Sequence, residues 1–489
     1  MRLLRPWIQS RRHLSAFLPT PAAQYVPLST PDVGLDALLR KFHLEADSLG
    51  CANFLDAHDA VAHLRNEFCY PKMKDLPDVD LNLVDGDEDC VYLCGNSLGL
   101  QPKRLRELFN EQLDDWAKLG VKGHRHGNCP WAFCDEKLTG RLANLTGALE
   151  SEVAVMNSLT INIHLLMVSF YQPSGVRNKV LLEEGAFPSD HYAVESQIRL
   201  RGLDPSDCML LLKPKKGEHV LEEDDIVRLI EERGQEIAVV FLSGVQFRTG
   251  QCFDIGRITA AAHSKGCVVG WDLAHSVGNV PLALHDWGVD FATWCTYKYL
   301  CTGAGGVGCV FVHEAHHASQ LPRLEGWWGH RIETRFDMTN QMEPSAGASA
   351  YRVSTPPIFQ MVPLMASLEV YEATSLEELR RKSVLLTRYL ELLLERRFAK
   401  NSWERRTGVH CRVITPREPD RRGCQLSLAF STDATAVFTQ LCRRGVVCDQ
   451  RQTALRVTPV HLYNSFGDVY RFVQALEESL LACEKTGFE

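Results

Sequence analysis

The stretch FATWCTYKYLCTGAGGVGCVFV, residues 291–312, places a lysine in unusual surroundings. Its two apolar ends, 291–295 and 307–312, have the length and composition of buried β-strands. Lys298 follows the first of them, between two tyrosines and ahead of a glycine-rich run. Burying an ammonium group is costly unless the group is paired or used. The stretch therefore predicts a functional amine at a strand end, with a solvated surface charge as the alternative.

Similar strands recur on the N-terminal side of this stretch. The segments KVLLEEGAF (179–187), IAVVFL (237–242) and CVVGW (267–271) are short and mostly apolar, and helical segments separate them. This alternation indicates an α/β fold with a parallel or mixed sheet that is covered on both faces.

The character of the chain changes near Ser354, where the two prolines of STPPIF interrupt regular structure. Long helices are predicted after this point, at about 359–373 and 376–398, and a closing helix at about 466–485. The predicted parts are an N-terminal leader at 1–31, a helical segment at 32–90 that packs on the small domain, a large domain at 91–350 and a small C-terminal α/β domain at 351–489.

The composition limits the class of partner. The chain has 489 residues and a net charge of −8, and an acidic balance argues against nucleic-acid binding. No apolar run approaches the roughly 20 residues of a membrane helix. The seventeen cysteines include no C-x-x-C spacing, which favours reduced thiols over zinc ligands or disulfides. We predict a soluble protein with no metal site.

The leader is rich in arginine. Arg2, Arg5, Arg11 and Arg12 all precede Asp32, the first acidic residue. Mitochondrial presequences have this composition, and so do short disordered tails. We predict a cytoplasmic protein, with mitochondrial import as the alternative.

Polar residues follow several of the predicted strands. Ligands of open α/β sheets bind beyond the carboxyl ends of the strands. A desolvated Lys298 amine can form a Schiff base with a carbonyl. Asp272, one crossover earlier, can keep a pyridine nitrogen protonated. Either residue alone would be an ordinary charge or helix cap, but together they predict a pyridoxal phosphate site.

Other residues near the strand ends would complete this site. Ser158 and Thr160 open a helix whose N–H groups attract phosphate, although ordinary helix caps have the same sequence. Ser243 and Tyr297 would add hydroxyl groups. Phe187 would stack on a flat ring or lie in the core.

Two features close to Asp272 and Lys298 have competing interpretations. His275 would support the cofactor, hold Asp272 or serve only the structure. The string GAGGVG (303–308) lies between two strands, so the context of a dinucleotide fingerprint is absent. We predict that these glycines let the backbone pass closely behind Lys298.

Two features bear on the substrate. Arg456 is an isolated cation on a small-domain strand, where an arginine can bind a carboxylate bidentately or simply face solvent. Trp327 and Trp328 suggest a flat hydrophobic wall, and paired tryptophans also occur in cores and dimer interfaces.

Six motifs extend the comparison to a known family. GNSLGLQP, FPSDHY, WDLAHSVGN, HDWGVDFATW, TYKYLCTGAGG and RVTPVHLYNSF occur in this order between about residues 90 and 475. Together they resemble the kynureninase family, fold-type I pyridoxal phosphate enzymes related to class V aminotransferases. The resemblance implies a mainly parallel sheet of the seven-stranded type and a homodimer. It also implies hydrolysis of L-kynurenine and 3-hydroxy-L-kynurenine in tryptophan catabolism and NAD biosynthesis.

The same resemblance assigns roles to residues. Lys298 would bond to the cofactor, Asp272 would pair with its pyridine nitrogen, and Tyr297 would transfer a proton. His124 and Arg456 would bind the substrate. The implied cofactor contacts are Leu159, Thr160, Phe187, Pro188, Ser189, Asp190, Ser243, Asp272, His275, Tyr297, Lys298, Trp327 and Thr355, with Trp327 reaching across the dimer interface.

The sequence departs from the family pattern in two places. Thr355 stands in RVSTPPI where asparagine is expected, and the loop RHGNC after His124 also differs. The preference between the two kynurenines therefore stays open. The alternatives are a class V cysteine desulfurase or selenocysteine lyase, which needs a nucleophilic cysteine on a mobile loop, and a catalytically silent cofactor-binding protein.

Overall fold

A computed structural model describes residues 34–398, 403 and 408–486, so the predicted leader lies outside the described residues. The strands are β1 (Phe68–Cys69), β2 (Val91–Tyr92), β3 (Gln101–Pro102), β4 (Val153–Val155), β5 (Lys179–Glu183), β6 (Met209–Leu212), β7 (Ile237–Ser243), β8 (Val268–Asp272), β9 (Phe291–Cys295), β10 (Gly308–Val312), β11 (Cys411–Val413), β12 (Leu426–Phe430), β13 (Val446–Val447), β14 (Asp449–Arg451) and β15 (Ala454–Val457).

The α-helices alternate with these strands in the first half of the chain and precede or follow them in the second. They are α1 (Leu35–Lys41), α2 (Leu49–Ala57), α3 (Leu105–Leu119), α4 (Glu136–Thr146), α5 (Leu159–Phe170), α6 (Pro188–Leu200), α7 (Pro205–Cys208), α8 (Glu223–Arg233), α9 (Ile255–Ser264), α10 (Ile358–Glu372), α11 (Leu376–Arg397), α12 (Ala434–Arg443) and α13 (Phe466–Thr486). Across the described residues, no helix is both long enough and apolar enough to span a membrane.

The central sheet has seven strands in the order β4-β10-β9-β8-β7-β5-β6. Strand β10 runs antiparallel to both of its neighbours, and the pairings from β9 through to β6 are parallel. This arrangement confirms the predicted mainly parallel sheet. The registers pair Ser243 with Asp272 and Asp272 with Thr293, so the strands end at nearly the same level.

Both faces of the central sheet are buried, which explains why its strands are apolar at almost every position. Along β7, Val239 and Phe241 belong to one core, while Val240 and Leu242 belong to the core on the opposite face. The alternation follows from the two-residue period of a strand. A strand covered on both faces has no reason to alternate with polar residues.

A second sheet has the order β11-β12-β15-β14, with antiparallel pairing throughout. The helical segment near the N-terminus packs with this part of the chain, since Leu35 and Leu55 share one core with Leu390 and Leu476. Asp56 adds a polar link by accepting hydrogen bonds from the first N–H groups of α13, at 2.7 and 3.0 Å. Later residues of the segment, such as Leu64 and Phe68, belong instead to a core shared with the central sheet, so the predicted role of 32–90 and the domain boundaries at 90 and 350 stay predictions.

Several boundaries differ from those predicted. Strand β5 ends at Glu183 rather than 187, because Pro188 opens α6 with a backbone angle that suits a first helical turn. Helix α3 begins at Leu105, because the preceding Gln101–Pro102 pairs with β1. Helix α12 was not predicted, although Asp433 caps it by accepting from the N–H of Thr435.

Candidate active site

Four polar side chains lie in a row across the carboxyl edge of the central sheet. Lys298 follows β9, Asp272 ends β8, Ser243 ends β7 and Glu183 ends β5. These four strands are consecutive neighbours in the sheet. The topology therefore brings together residues that are up to 115 positions apart in the chain.

Lys298 is held in a tightly packed turn after β9. The N–H of Gly99 donates to the carbonyl of Tyr297 at 2.9 Å. A Cβ atom on Gly99 would fall 2.3 Å from the carbonyl oxygen of Lys298, so only glycine fits at this position. Among the later glycines, a Cβ on Gly306 would lie 3.3 Å from the Cβ of Tyr297, which agrees with the predicted close passage behind the lysine.

The amine of Lys298 points into a pocket of aromatic and imidazole groups. Its Nζ lies 3.0 Å from Nε2 of His275. It also lies 6.0 Å from the ring centroid of Phe187 and 5.7 Å from that of Tyr297. Burial and the Lys298 charge hold the pKa of His275 well below its usual range. His275 is therefore neutral at physiological pH and can share a hydrogen bond with the amine without repelling it.

Two buried carboxyl groups, Asp272 and Asp190, lie beside the amine. Burial raises the pKa of both, and the charge of Asp272 raises that of Asp190 further. Lys298 and the N–H of Ala274, which donates to Asp272 at 2.7 Å, oppose the rise at Asp272. Asp190 therefore takes up a proton first, and Asp272 is the member of the pair that stays charged.

The N-termini of α5 and α6 meet at the same end of the sheet. Oγ1 of Thr160 lies 2.6 Å from Oγ of Ser189. Ser158 precedes α5 without capping it through its side chain. A Cβ on Gly308 would come within 3.2 Å of the Leu159 nitrogen, so this glycine lets β10 pass closely behind the helix end. Exposed N–H groups and two helix dipoles make this corner suited to a phosphate.

These groups fit pyridoxal phosphate. Oδ1 of Asp190 and Nδ1 of His275 are buried and have no hydrogen-bond partner within the described structure, so polar ligand atoms are needed there. The ring of Phe187 is 43% exposed beside Lys298, as a stacking surface for a flat ring requires. An amine, a charged carboxylate and a phosphate-binding corner complete the requirements of the cofactor.

Three other predicted residues lie apart from this group. His124, Trp327 and Thr355 line a common cavity of about 400 Å³. Its further lining consists of Val121, Lys122, Arg125, His126, Ala132, Trp328 and Phe336. Neither Lys298 nor Asp272 is among the described residues that line it. The structure therefore brings these three residues together, but in a cavity apart from Lys298 and Asp272.

Arg456 is isolated in the sequence but paired in the structure. The antiparallel register of β14 and β15 sets Asp449 opposite Arg456, and the two form an ion pair. The guanidinium group also donates to Oγ of Ser97 and to the carbonyl of Phe247, both at 2.9 Å. The side chain is buried, and its Nε has no hydrogen-bond partner within the described residues.

The sequence patterns did not identify two residues of the site, Glu183 and Ser97. Glu183 is 3% exposed and accepts a hydrogen bond from Oγ of Ser243 at 2.5 Å. Its position was available as a signal, because it ends a strand as Ser243 and Asp272 do. Ser97 lies in the motif GNSLGLQP, yet its contact with Arg456 depends on the fold and has no local signal.

The chain is similar in sequence to known proteins along most of its length. Family models match at residues 209–415 for class V aminotransferases and at 379–476 for the kynureninase C-terminal domain. Kynureninase from Mus musculus is 49% identical over 461 residues, 94% of this chain and 99% of its own. Kynureninase from Homo sapiens is 49% identical, with 88% and 92% covered, and that from Myxococcus xanthus 48% identical, with 89% and 98% covered.

Solved structures share the fold at much lower identity. The cysteine desulfurase CsdA from Escherichia coli superposes with a TM-score of 0.65 at 18% identity, covering 86% of this chain and 98% of its own. A mutant of C-DES with glycine covalently linked to its PLP cofactor gives a TM-score of 0.64 at 15% identity, covering 83% and 99%. These likenesses establish the fold-type I architecture.

The close packing of Gly99 against Lys298 leads to the first prediction. Gly99→Ala should displace the lysine and lower the activity of the cofactor-loaded protein by about 100-fold or more, because a misplacement of about 1 Å at a reacting group has that effect. Cofactor absorbance and turnover would be measured together. Gly50→Ala is the control, since its Cβ meets only Oγ of Ser48, at 3.8 Å. Normal turnover in Gly99→Ala would contradict the assignment.

Proposed function

The chain belongs to the kynureninase family, and we propose that it hydrolyses the Cβ–Cγ bond of kynurenines with pyridoxal phosphate as cofactor. L-Kynurenine would give anthranilate and L-alanine, and 3-hydroxy-L-kynurenine would give 3-hydroxyanthranilate and L-alanine, in tryptophan catabolism and NAD biosynthesis. The observation that carries the proposal is the amine of Lys298 beside buried Asp272, in a chain 49% identical to kynureninases.

Lys298 and Asp272 have complementary roles in this proposal. Bound pyridoxal phosphate supplies an aldehyde that bonds to amines and a protonated ring that withdraws electrons from neighbouring bonds. Lys298 provides Nζ to bind that aldehyde and to move the proton of the substrate's α-carbon. Asp272 stays charged next to Lys298 and the Ala274 N–H, so it can hold a proton on the ring nitrogen.

Tyr297 and His275 control protons around the amine. Burial raises the pKa of Tyr297 above its ordinary value, so its phenol keeps its proton at physiological pH and can donate it. Its ring centroid lies 5.7 Å from Nζ of Lys298, within reach of the same substrate atoms. His275 is neutral and offers Nε2 to the amine at 3.0 Å. We propose Tyr297 as the proton donor and His275 as the group that orients Lys298.

Binding of the substrate's carboxylate is assigned to Arg456. Its partner Asp449 holds the guanidinium group in place, and Ser97 adds a hydroxyl beside it. The Nε atom is buried and has no partner among the described residues, so it is an unused donor for a carboxylate that binds directly against the guanidinium group. A guanidinium group binds carboxylates in a planar, bidentate manner.

A homodimer would unite the two separated cavities. The cavity at His124, Trp327 and Thr355 has the aromatic walls that an aminophenyl ketone needs, but Lys298 is absent from its described lining. Trp327 is 46% exposed, so part of its ring is available at the surface for a contact with a second chain. We propose that this face of one protomer covers the Lys298 pocket of the second protomer and contacts the substrate's ring.

The desulfurase alternative lacks a suitable nucleophile close to the amine. Cys295 and Cys301 flank Lys298 in the chain, and both are buried. Burial raises the pKa of both thiols above the ordinary value. A sulfur nucleophile needs a lowered pKa and access to the substrate. These two cysteines therefore suit a structural role.

The proposed reaction predicts turnover of both kynurenines. The holoenzyme should release fluorescent anthranilate and 3-hydroxyanthranilate, and Lys298→Ala should abolish the release of both, because Nζ binds the cofactor and moves the proton. The ratio of the steady-state kcat/KM values for the two substrates shows which of them is preferred.

Thr355→Asn should change that ratio with little effect on cofactor absorbance, since Thr355 lies in the cavity at His124 and Trp327. A yellow, cofactor-loaded protein without turnover would support the catalytically silent alternative.

The proposed dimer predicts complementation between two inactive variants. Lys298→Ala lacks the amine, and His124→Ala lacks a ring contact. If His124 serves the site of its partner, a mixed dimer contains one intact site, and mixing the variants restores part of the activity. If His124 serves its own protomer, every site of the mixture is defective. Subunits would be exchanged under mild denaturant, with each variant exchanged alone as the control.

We also propose that the protein acts in the cytoplasm. No disulfide joins the cysteines of the described segments, and such a content of thiols suits a reducing compartment. The full chain, fused at its C-terminus to a fluorescent protein, should distribute through the cytoplasm. A mitochondrial pattern that disappears on deletion of 1–31 would contradict this proposal.

A further inference from the structure

The row of side chains at the sheet edge extends one strand beyond the groups that the proposed reaction uses. Glu183 ends β5 and is 3% exposed. Its carboxyl group accepts a hydrogen bond from Oγ of Ser243, and the nearby polar groups of Ser243 and Gln246 lower its pKa. Ser243 in turn pairs in register with Asp272. Ser243 therefore links Glu183 by a hydrogen bond to the strand end next to Asp272.

Glu183 also forms part of the wall of a separate cavity of about 380 Å³ beside the ends of β5, β6 and β7. The titratable and charged groups in that wall are Glu184, Lys215, Lys216, Glu218, His219 and Arg248. On the opposite side, Glu183 faces Asp272, with Asp190 and Lys298 next to it. The carboxyl group thus lies between a polar cavity and the buried acids of the site.

We propose that Glu183 is a positioning residue for the proposed reaction, and that its protonation reverses the direction of the Ser243 hydrogen bond. A carboxylate accepts from the Ser243 hydroxyl, which then presents an oxygen lone pair to the cofactor pocket. A protonated carboxyl group can instead donate to Oγ of Ser243. The Ser243 hydroxyl is then released to donate into the pocket.

The surroundings of Glu183 allow this change near neutral pH. Burial raises its pKa to about 7, the nearby charge of Asp272 raises it as well, and the bonds from Ser243 and Gln246 oppose the rise. Glu183, Asp272 and Asp190 are neighbouring buried acids, and they cannot all be charged without a large desolvation cost. The cavity gives protons a route to Glu183 that does not cross the substrate pocket.

The experiment titrates the absorbance of the bound cofactor and kcat/KM against pH in the full-length holoenzyme. Wild type should show a transition in the neutral range that Glu183→Gln loses, because the amide cannot titrate. Glu184→Gln is the matched control: it changes the adjacent carboxylate, which is exposed and paired with Lys213 at 2.6 Å. This control should titrate as wild type does.

If Glu183 acts by orienting the Ser243 hydroxyl, its effect on the titration should require Ser243, whereas a general electrostatic effect of its charge should not. In a Ser243→Ala background, Glu183→Gln should cause no further change in the titration, since the hydroxyl through which it acts is absent. A neutral transition that survives Glu183→Gln, or an effect of equal size without Ser243, would overturn the proposal. If Glu183→Gln does not fold, Glu183→Asp tests the same contact: its shorter, still titratable side chain weakens the bond to Ser243, so the neutral transition should shift, and an unshifted transition would overturn the proposal.

The proposal rests on the proposed function only through the kinetic arm of this experiment. The absorbance titration requires bound cofactor but no substrate. A protein that binds the cofactor without cleaving kynurenines would fail the turnover test and still decide the role of Glu183.

Discussion

Burial of three carboxyl groups at the sheet edge, two of them beside the Lys298 amine, is the constraint on which this site depends. Asp272, Asp190 and Glu183 are each less than a tenth exposed, and burial raises the pKa of each. The charge of Lys298 stabilises one carboxylate next to it, Asp272, while the other acids take up protons more readily. Asp190 and Glu183 therefore take up protons more readily than Asp272, whose carboxylate is stabilised by the charge of Lys298 and by the N–H of Ala274. Proton transfer at the substrate needs such an arrangement.

The sheet topology makes this concentration of charge possible. Parallel strands end at a common edge, and helices that cover both faces exclude water from the residues just inside it. The antiparallel strand β10 runs back from the turn after Lys298, and its first residue, Gly308, admits the N-terminus of α5. Acidic groups and phosphate-binding N–H groups thus lie at one end of the molecule, as one cofactor with a ring and a phosphate requires.

Much of this site followed from the sequence because its signals are local. Lys298 and Asp272 end buried strands, and Thr160 opens a helix, so a strand-and-helix interpretation was sufficient to bring them together. Non-local features could not be found in this way. The pairing of Arg456 with Asp449 depends on strand register, and the separation of His124 from Lys298 depends on how distant loops pack. Glu183 was missed because its strand was predicted to be four residues longer than it is.

The similarity to cysteine desulfurases shows which parts of the site belong to the scaffold. A TM-score of 0.65 at 18% identity means that the backbone arrangement is retained while most side chains differ. In this chain the amine, the acid and the phosphate-binding corner are positioned by the ends of strands and helices. Which substrate bond is cleaved depends on the other side chains that surround the substrate. In this chain those surroundings are the cavity at His124, Trp327 and Thr355 and the buried thiols near Lys298, which favour an aromatic ketone over a sulfur substrate. The loops that line this cavity are separate from the strand ends that hold Lys298 and Asp272, so their sequence can change without altering those two groups.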